Sequence, residues 1–186
     1  MKRIRYNSPA VLTFAFISLA ALILGKLTGG WTTYKLFSVY RSRLTDPLTY
    51  VRMVGHVLGH SGYEHYIGNI LLMMVIGPPM EEKYGSKPLI RAFFVTALIS
   101  GLVQFIFFPT SMLLGASGIV YMLIVLSSLS GAKGGSVPLT LIFVAIFYIG
   151  GQIVDGLFVS DNVSQLTHII GGIIGGVFGF AMVKSK

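Results

Sequence analysis

The chain has 186 residues, of which 54% are hydrophobic and 11% are charged, and none is a cysteine. A soluble domain of this length cannot bury so much apolar surface, so the composition predicts an integral membrane protein with one helical domain over residues 1–186. The formal net charge is +8, but the lysines and arginines are scattered in short connections between apolar runs. They therefore indicate membrane topology and contacts with lipid headgroups, and we expect no nucleic-acid partner.

The first apolar run follows a short basic tail. Residues 1–8 carry three lysines or arginines, which predicts a short cytoplasmic N-terminal tail. The run from Pro9 to about Leu24 is long for a signal peptide and has no convincing cleavage site, so we predict a membrane helix. Residues 26–64 form the longest polar connection. Their mixed aromatic and basic residues predict a loop at the membrane interface, with a short helix over Pro47 to His60.

Five further apolar runs bring the predicted membrane helices to six, in an all-α bundle with a long interfacial first loop. We expect Pro78 and Pro79 to bend and end the second helix. Nine of the fourteen lysines and arginines fall in segments that this topology places in the cytoplasm, and the other five lie in the first loop. This distribution predicts a multi-pass protein of the cell (inner) membrane with both termini in the cytoplasm. The five runs lie at about residues 65–76, extended through 77–80 to the polar stretch 81–86, and at about 88–108, 118–130, 137–158 and 166–183.

Four polar residues from three separate helices fall at one depth of this bundle. Helices two, four and six begin at the outer face. His65 and Asn69 open helix two, Ser117 opens helix four and His168 opens helix six. Polar side chains in a bilayer are costly, face the bundle interior and commonly mark functional sites. His65 and Asn69 are four residues apart and therefore project from one helix face.

A glycine stripe on the last helix indicates how Ser117 could meet His168. Gly171 and Gly175 follow His168 by three and seven residues, which leaves a smooth stripe on the same face as the imidazole. A neighbouring backbone can approach such a stripe closely, and helix four is the obvious candidate. The hydroxyl of Ser117 could then reach the imidazole.

The residues around Ser117 suit a nucleophile. Gly115 and Gly118 permit a tight turn with an exposed hydroxyl and with backbone N–H groups free to hold an anion. The same small residues are also ordinary at interfaces between membrane helices. With His168, however, the serine would be sufficient for acyl transfer, because the imidazole takes the hydroxyl proton and returns it to the leaving amine.

Neighbouring residues complete the predicted site. Tyr121 follows Ser117 by four residues, so its ring could support the imidazole of His168 from the next turn. His65 and Asn69, together with the backbone N–H of Ser117, would donate hydrogen bonds to the oxyanion. No carboxylate has a clear route to His168, so the sequence predicts a Ser–His dyad.

In this order, the motifs resemble those of the rhomboid intramembrane serine proteases, especially the small six-helix bacterial type. The resemblance covers roughly residues 48–183. One departure is Val51 before Arg52, where many members have tryptophan. The matching motifs are His65-x-x-x-Asn69, Gly115-x-Ser117-Gly118, Tyr121, His168-x-x-Gly171-x-x-x-Gly175, and Glu81-Glu82-Lys83-Tyr84-Gly85-Ser86 after the second helix.

The resemblance implies a protease that cuts transmembrane segments of other membrane proteins near the outer face. Its substrates would have to unwind locally, because an intact helix keeps its carbonyl groups hydrogen-bonded. The resemblance implies no cofactor and no metal. The implied partners are transmembrane protein substrates and membrane lipids. The implied site comprises Ser117 as nucleophile, His168 as general base, and His65, Asn69, Gly115 and Tyr121 as oxyanion or supporting residues.

Three alternatives stay open at this point. A catalytically silent rhomboid-like protein would bind transmembrane helices without cutting them, although the intact serine and histidine argue against it. A small transporter or channel is less well supported, because the chain lacks an obvious inverted repeat and mid-span carboxylates. A zinc site is also compatible with the spacing of His56, His60, Glu64 and His65, but the resemblance already uses His65.

Overall fold

The computed structural model describes residues 6–130, 139–144, 146 and 162–184. Within these residues there is no strand, and two loop residues, Val39 and Leu113, form an isolated antiparallel bridge. The prediction of an all-helical chain is therefore confirmed for the described part. The helices are α1 (Pro9–Leu27), α2 (Trp31–Leu36), α3 (Pro47–Gly55), a 3-10 turn (His56–Leu58), α4 (Tyr63–Tyr84), α5 (Ser86–Phe107), α6 (Ser117–Leu129), α7 (Leu139–Val144) and α8 (Asn162–Lys184).

Two of the described helices, α1 and α5, are long and apolar enough to cross a membrane, judged by length and composition. α6 and residues Leu166–Ala181 of α8 are shorter apolar helices. These helices support the prediction of a membrane protein. Of the predicted fifth run, 137–158, only α7 and Ile146 are among the described residues, so the extent of this run lies outside them.

α6 lies at the centre of the described helices. It contacts α4, α5, α7 and α8, and its contact with α8 is the most extensive among the described helix pairs. A helix surrounded on all sides must be apolar on all sides, and in a bilayer its stability comes mainly from close packing. The sequence of α6 meets this requirement. Five of its large side chains are fully buried: Ile119, Met122, Leu123, Leu126 and Leu129.

Glycines set the distance between α6 and α8. A Cβ on Gly171 would collide with the backbone carbonyl of Gly118, and a Cβ on Gly175 would collide with the carbonyl of Met122. No side chain fits at either position, so the two backbones can approach closely. By contrast, a Cβ on Gly176 would meet nothing within 4 Å. The glycine stripe of the last helix therefore packs on α6.

α4 continues through two prolines. The expectation that Pro78 and Pro79 end this helix is wrong, because α4 runs on to Tyr84 and stops only before Gly85, whose φ is +86°. Each proline removes one backbone donor and leaves a carbonyl of the preceding turn without its helical partner, but its φ angle is compatible with a helix. The helix can therefore persist where the following turn is held by its neighbours.

Glu81 holds the turn after the prolines. Its side chain is only 4% exposed. The carboxylate accepts hydrogen bonds from the backbone N–H groups of Ala10 and Val11 at 2.8 and 3.0 Å, and from the Ser86 hydroxyl at 2.6 Å. The two N–H groups belong to the first turn of α1, which has no helical partner for them and whose dipole favours a negative charge. This end of α4 therefore joins the start of α1 to the start of α5.

The first loop packs against α5 and contains the predicted short helix, which is observed as α3 followed by the 3-10 turn. Arg52 on α3 is 1% exposed, and its guanidinium donates to the Asp46 carboxylate at 2.7 Å. The Arg41 guanidinium donates to the carbonyl oxygens of Phe105 and Ile106, in the last turn of α5, at 2.8 Å each. These bonds fix the loop beside the end of α5, from which the segment leading to Ser117 departs.

Candidate active site

The first group of predicted site residues lies near the start of α4. His65 and Asn69 are one turn apart, and the Asn69 side-chain amide donates to the His65 carbonyl oxygen at 3.1 Å. Asn69 is buried, and the His65 ring is half-buried. α4 begins at Tyr63, after an extended Gly62. Both side chains therefore project from one face close to the N-terminal end of the helix.

Gly115 lies directly against these two side chains. Its φ is +125°, a conformation that residues with a side chain rarely adopt. A Cβ at this position would come within 2.7 Å of the His65 Nε2 and 3.9 Å of the Asn69 Nδ2. The Gly115 N–H donates to the His56 carbonyl oxygen at 2.9 Å, which anchors the loop to the segment before α4. Glycine is therefore required here both by the backbone angle and by the available space.

Ser117 is the first residue of α6 and follows Gly115 by two positions. Its side chain is half-buried. The first N–H groups of a helix have no partner within the helix and lie at the positive end of its dipole. An anion beside Ser117 would therefore meet a favourable field and a backbone donor.

The imidazole of His168 stacks on the phenol ring of Tyr121. Their centroids are 4.1 Å apart, and the ring planes differ by 8°. Tyr121 lies one turn after Ser117 on α6. His168 lies in the second turn of α8 rather than at its start, because this helix begins at Asn162 and not near Leu166.

A contact beside the two predicted catalytic residues links their helices. A Cβ on Gly118 would lie 3.0 Å from the Thr167 Cγ2. Gly118 follows Ser117, and Thr167 precedes His168, so α6 and α8 meet next to the hydroxyl and the imidazole. The structure thus forms two groups, one of His65, Asn69 and Gly115 and the other of Tyr121 and His168, joined by the segment that contains Ser117.

Comparison with known proteins identifies the family of the chain. A family model described as Rhomboid domain matches residues 47–185, which include every residue of the candidate site. The chain belongs to the rhomboid family. It is 28% identical over 195 residues to Rhomboid-related protein 2 of Mus musculus, 28% over 141 residues to Rhomboid-related protein 1 of Caenorhabditis elegans, and 26% over 185 residues to Rhomboid protease GluP of Bacillus subtilis (strain 168).

These alignments cover 94%, 71% and 94% of this rhomboid chain. They cover only 65%, 40% and 35% of the respective relatives. The chain therefore spans between about one third and two thirds of the length of the relatives that it matches.

Two further histidines of the rhomboid domain have partners of their own. The His56 Nε2 lies 3.0 Å from the Ala97 carbonyl oxygen, and the His60 Nδ1 lies 3.2 Å from the Leu58 carbonyl oxygen. Burial lowers the pKa of both rings to about 4, so both are neutral at pH 7. Within the described residues, no group of three or more histidine, aspartate or glutamate side chains could hold a metal ion.

Ser61 is not among the residues that the sequence predicts for the site of this rhomboid, but in the structure it contacts His65. Its hydroxyl oxygen lies 3.1 Å and its backbone nitrogen 3.5 Å from the His65 Nδ1. Ser61 also lines a cavity of about 500 Å³, together with His60, Lys26 and Leu114. The only sequence signal was its position four residues before His65. Ser61 lies before α4, and outside a helix a spacing of four residues does not place two side chains on one face. The turn before α4 decides which groups meet.

Proposed function

We propose that the chain is a single rhomboid domain over residues 1–186 that spans the cell (inner) membrane six times, with both termini in the cytoplasm. The apolar helices α1, α5, α6 and α8 support this topology, and α4 and the predicted fifth run supply the remaining two spans. In this arrangement α4, α6 and α8 start at the outer face. His65, Ser117 and His168 then lie towards that side of the membrane.

We further propose that the chain is a serine protease that acts within the membrane, with Ser117 as nucleophile and His168 as general base. The observation that carries the proposal is the meeting of α6 and α8, where Gly118 approaches Thr167 and Tyr121 stacks on His168. A hydroxyl and an imidazole on facing helices are the two groups that acyl transfer requires.

In the first step, the Ser117 hydroxyl attacks the scissile carbonyl carbon while the imidazole of His168 takes the hydroxyl proton. Stacking on Tyr121 restricts rotation of the imidazole. A stacked ring can keep one nitrogen directed at the hydroxyl, which is the task that a carboxylate performs in a Ser-His-Asp triad. The dyad therefore needs no acidic partner.

The negative charge that develops on the carbonyl oxygen needs fixed donors. We assign the His65 Nε2–H, the Asn69 amide and the Ser117 N–H to this role, because the two side chains flank Gly115 and the N–H lies two residues further on. The intermediate then expels the amine, which receives the proton from His168, and an ester remains on Ser117. Water that gives a proton to His168 hydrolyses this ester and restores the hydroxyl.

The proposed substrates are transmembrane segments of other membrane proteins, cut near the outer face. An intact helix shields its backbone and keeps each carbonyl hydrogen-bonded. We therefore expect cleavage of segments that unwind easily and have a small residue at the cut. The Bacillus subtilis relative is named a rhomboid protease, which supports this class of reaction.

Ser117→Ala tests the proposal directly. Purified protein in liposomes should cleave a model transmembrane substrate that contains helix-destabilising residues, and the variant should not. Ser127→Ala is the matched control, because it removes a hydroxyl from the last turns of the same helix. Undiminished cleavage by the Ser117 variant would overturn the assignment.

A silent rhomboid-like protein is the alternative, and two relatives are named rhomboid-related proteins. A serine-directed fluorophosphonate probe separates the two functions. Labelling of Ser117 that is lost in His168→Ala supports the protease, whereas a lack of labelling supports a binding protein. Labelling should also fall at acidic pH, because a protonated imidazole cannot accept the serine proton.

A further inference from the structure

The surroundings of His65 determine which of its ring nitrogens carries the proton. Nδ1 faces Ser61, whose backbone N–H donates to it at 3.5 Å and whose hydroxyl oxygen lies at 3.1 Å. A backbone N–H can only donate, so Nδ1 must accept and has no proton in the neutral ring. The proton of the neutral imidazole is then on Nε2.

The protonated nitrogen is also the one that faces the candidate site. Nε2 is the atom that a Cβ on Gly115 would approach within 2.7 Å, whereas Nδ1 is turned towards Ser61. An oxyanion formed at Ser117 requires donors, and a lone pair on Nε2 would repel it. Only one of the two neutral tautomers of His65 can therefore serve as an oxyanion donor.

We propose that Ser61 is a positioning residue that holds His65 in this tautomer and fixes the orientation of its ring. The inference rests on the proposed function, in which His65 stabilises the oxyanion. Ser61 acts through the imidazole. Its N–H favours the form with an unprotonated Nδ1, and its hydroxyl, which can donate or accept, can then donate to the same nitrogen. The contact thus prepares the donor before a substrate arrives.

The neighbourhood of Ser61 explains why a defined partner for Nδ1 matters. The adjoining cavity of about 500 Å³ has room for several water molecules. Water both donates and accepts, so it would favour neither tautomer. The His60 ring meets the His65 ring edge-on at 5.0 Å, but its Nδ1 is engaged by the Leu58 carbonyl oxygen. Among the described residues, Ser61 is therefore the group that is hydrogen-bonded to Nδ1 and can select the tautomer.

Kinetics of Ser61→Ala provide the first test. The variant keeps the longer N–H contact and loses the hydroxyl, so we expect kcat to fall by about 2- to 10-fold, the factor that corresponds to one net hydrogen bond. KM should stay unchanged, because the oxyanion exists only after attack. Ser61→Thr keeps a hydroxyl and should retain the rate. Thr45→Ala removes an exposed hydroxyl from the first loop and serves as the control.

Nitrogen-15 NMR of histidine-labelled protein provides a readout that a purely structural role would not change. In the wild type, the His65 Nδ1, assigned by comparison with His65→Ala, should show the shift of an unprotonated nitrogen and Nε2 that of a protonated one. In Ser61→Ala the two shifts should move partway towards each other, because the N–H contact that remains at 3.5 Å selects the tautomer more weakly than the N–H and the hydroxyl together. This experiment tests the tautomer assignment whether or not the protein cleaves substrate.

The outcomes separate the inference from the proposed function. A proton on Nδ1 in the wild type, or unchanged kcat and unchanged His65 shifts in Ser61→Ala, would overturn the positioning role. The expected His65 shifts in a protein that no serine probe labels would contradict the protease and leave the contact between Ser61 and His65 intact. If Ser61→Ala does not fold, the wild-type His65 shifts and the rate of Ser61→Thr still test the positioning role.

Discussion

The two ends of α4 carry polar side chains in opposite situations. Near the N-terminal end, His65 Nε2 and the Asn69 amide face Gly115, a residue with no side chain. Near the C-terminal end, Glu81 is buried and its carboxylate is occupied by two backbone N–H groups and a hydroxyl. Polar groups that are fully bonded to protein stabilise a fold, whereas polar groups that face a bare backbone remain available to a ligand. In the proposed protease, the N-terminal end of α4 would therefore serve catalysis and the C-terminal end would stabilise the fold.

His65→Ala should lower the activity proposed for the N-terminal end of α4 and change the stability of the fold little. Loss of the proposed oxyanion donor should lower kcat by about 10²- to 10³-fold. The midpoint of thermal unfolding should change little, because the ring is only half-buried. Substrate cleavage in liposomes and a circular dichroism melt measure the two quantities. A parallel loss of activity and of folded protein would remove the distinction between the two ends.

Glu81→Gln should have the opposite effect. The N–H groups of Ala10 and Val11 donate to different carboxylate oxygens, and in glutamine one of these oxygens becomes an amide nitrogen that cannot accept. One N–H of α1 then loses its acceptor, so we expect the free energy of unfolding to fall by about 1–3 kcal/mol. Cleavage per folded molecule should stay close to that of the wild type. Glu82→Gln changes an exposed carboxylate on the same turn and should alter stability by less than about 0.5 kcal/mol. Equal effects of both variants would contradict a special role for Glu81.

Gly77→Ala tests the middle of α4. A Cβ at this position would lie 2.7 and 3.1 Å from the two methyl groups of Val11 on α1. We expect overpacking to cost about 1–3 kcal/mol, measured by thermal unfolding. Gly68, on the same helix, has nothing within 4 Å of an added Cβ, so Gly68→Ala should be neutral or stabilise by up to about 1 kcal/mol. Similar melts for both variants would mean that α1 does not cross α4 at Gly77.

Acidic pH should destabilise the segment that precedes α4, which contains His56 and His60. Burial lowers the pKa of His56 and His60 from 6.5 to about 4. The unfolded chain therefore takes up these protons first, and the stability from the neutral rings is complete above pH 6.5 and lost as the pH falls towards 4. At pH 5.5 each ring should cost about 1 kcal/mol.

His60→Phe tests this pH dependence. The variant should reduce the slope of the unfolding midpoint between pH 7 and pH 5, because one of the two protonation sites is gone. A slope equal to that of the wild type would show that His60 does not remain neutral in the folded protein.

Hydropathy located most of the described helices to within a few residues. The run predicted from Pro9 to Leu24 is observed as Pro9–Leu27, and the run at 118–130 is observed as Ser117–Leu129. Apolar composition predicts these helices well, because a bilayer or a buried position imposes it along the whole element. The continuation of α4 beyond its prolines was not predictable in this way. The turn after the prolines is held by Glu81, a charged residue with two of its three partners about 70 positions earlier in the chain.

The candidate site, like the helices, could be predicted from the sequence only in part. The spacing of His65 and Asn69, and of His168 and the glycines after it, could be converted into helix faces because a helix has a fixed period. The contact of Gly115 with His65 could not be derived from spacing. It follows from a left-handed backbone angle and from a hydrogen bond to the segment before α4.

The sequence by itself determined which helices form, which faces carry polar groups and where small residues permit close approach, because these properties depend on composition and on the period of the helix. The tertiary structure alone decided that Ser61 contacts the Nδ1 of His65 and that Glu81 caps α1. Both contacts depend on the direction of single hydrogen bonds. That direction is fixed only when the turns and the packed helices bring the two partners together.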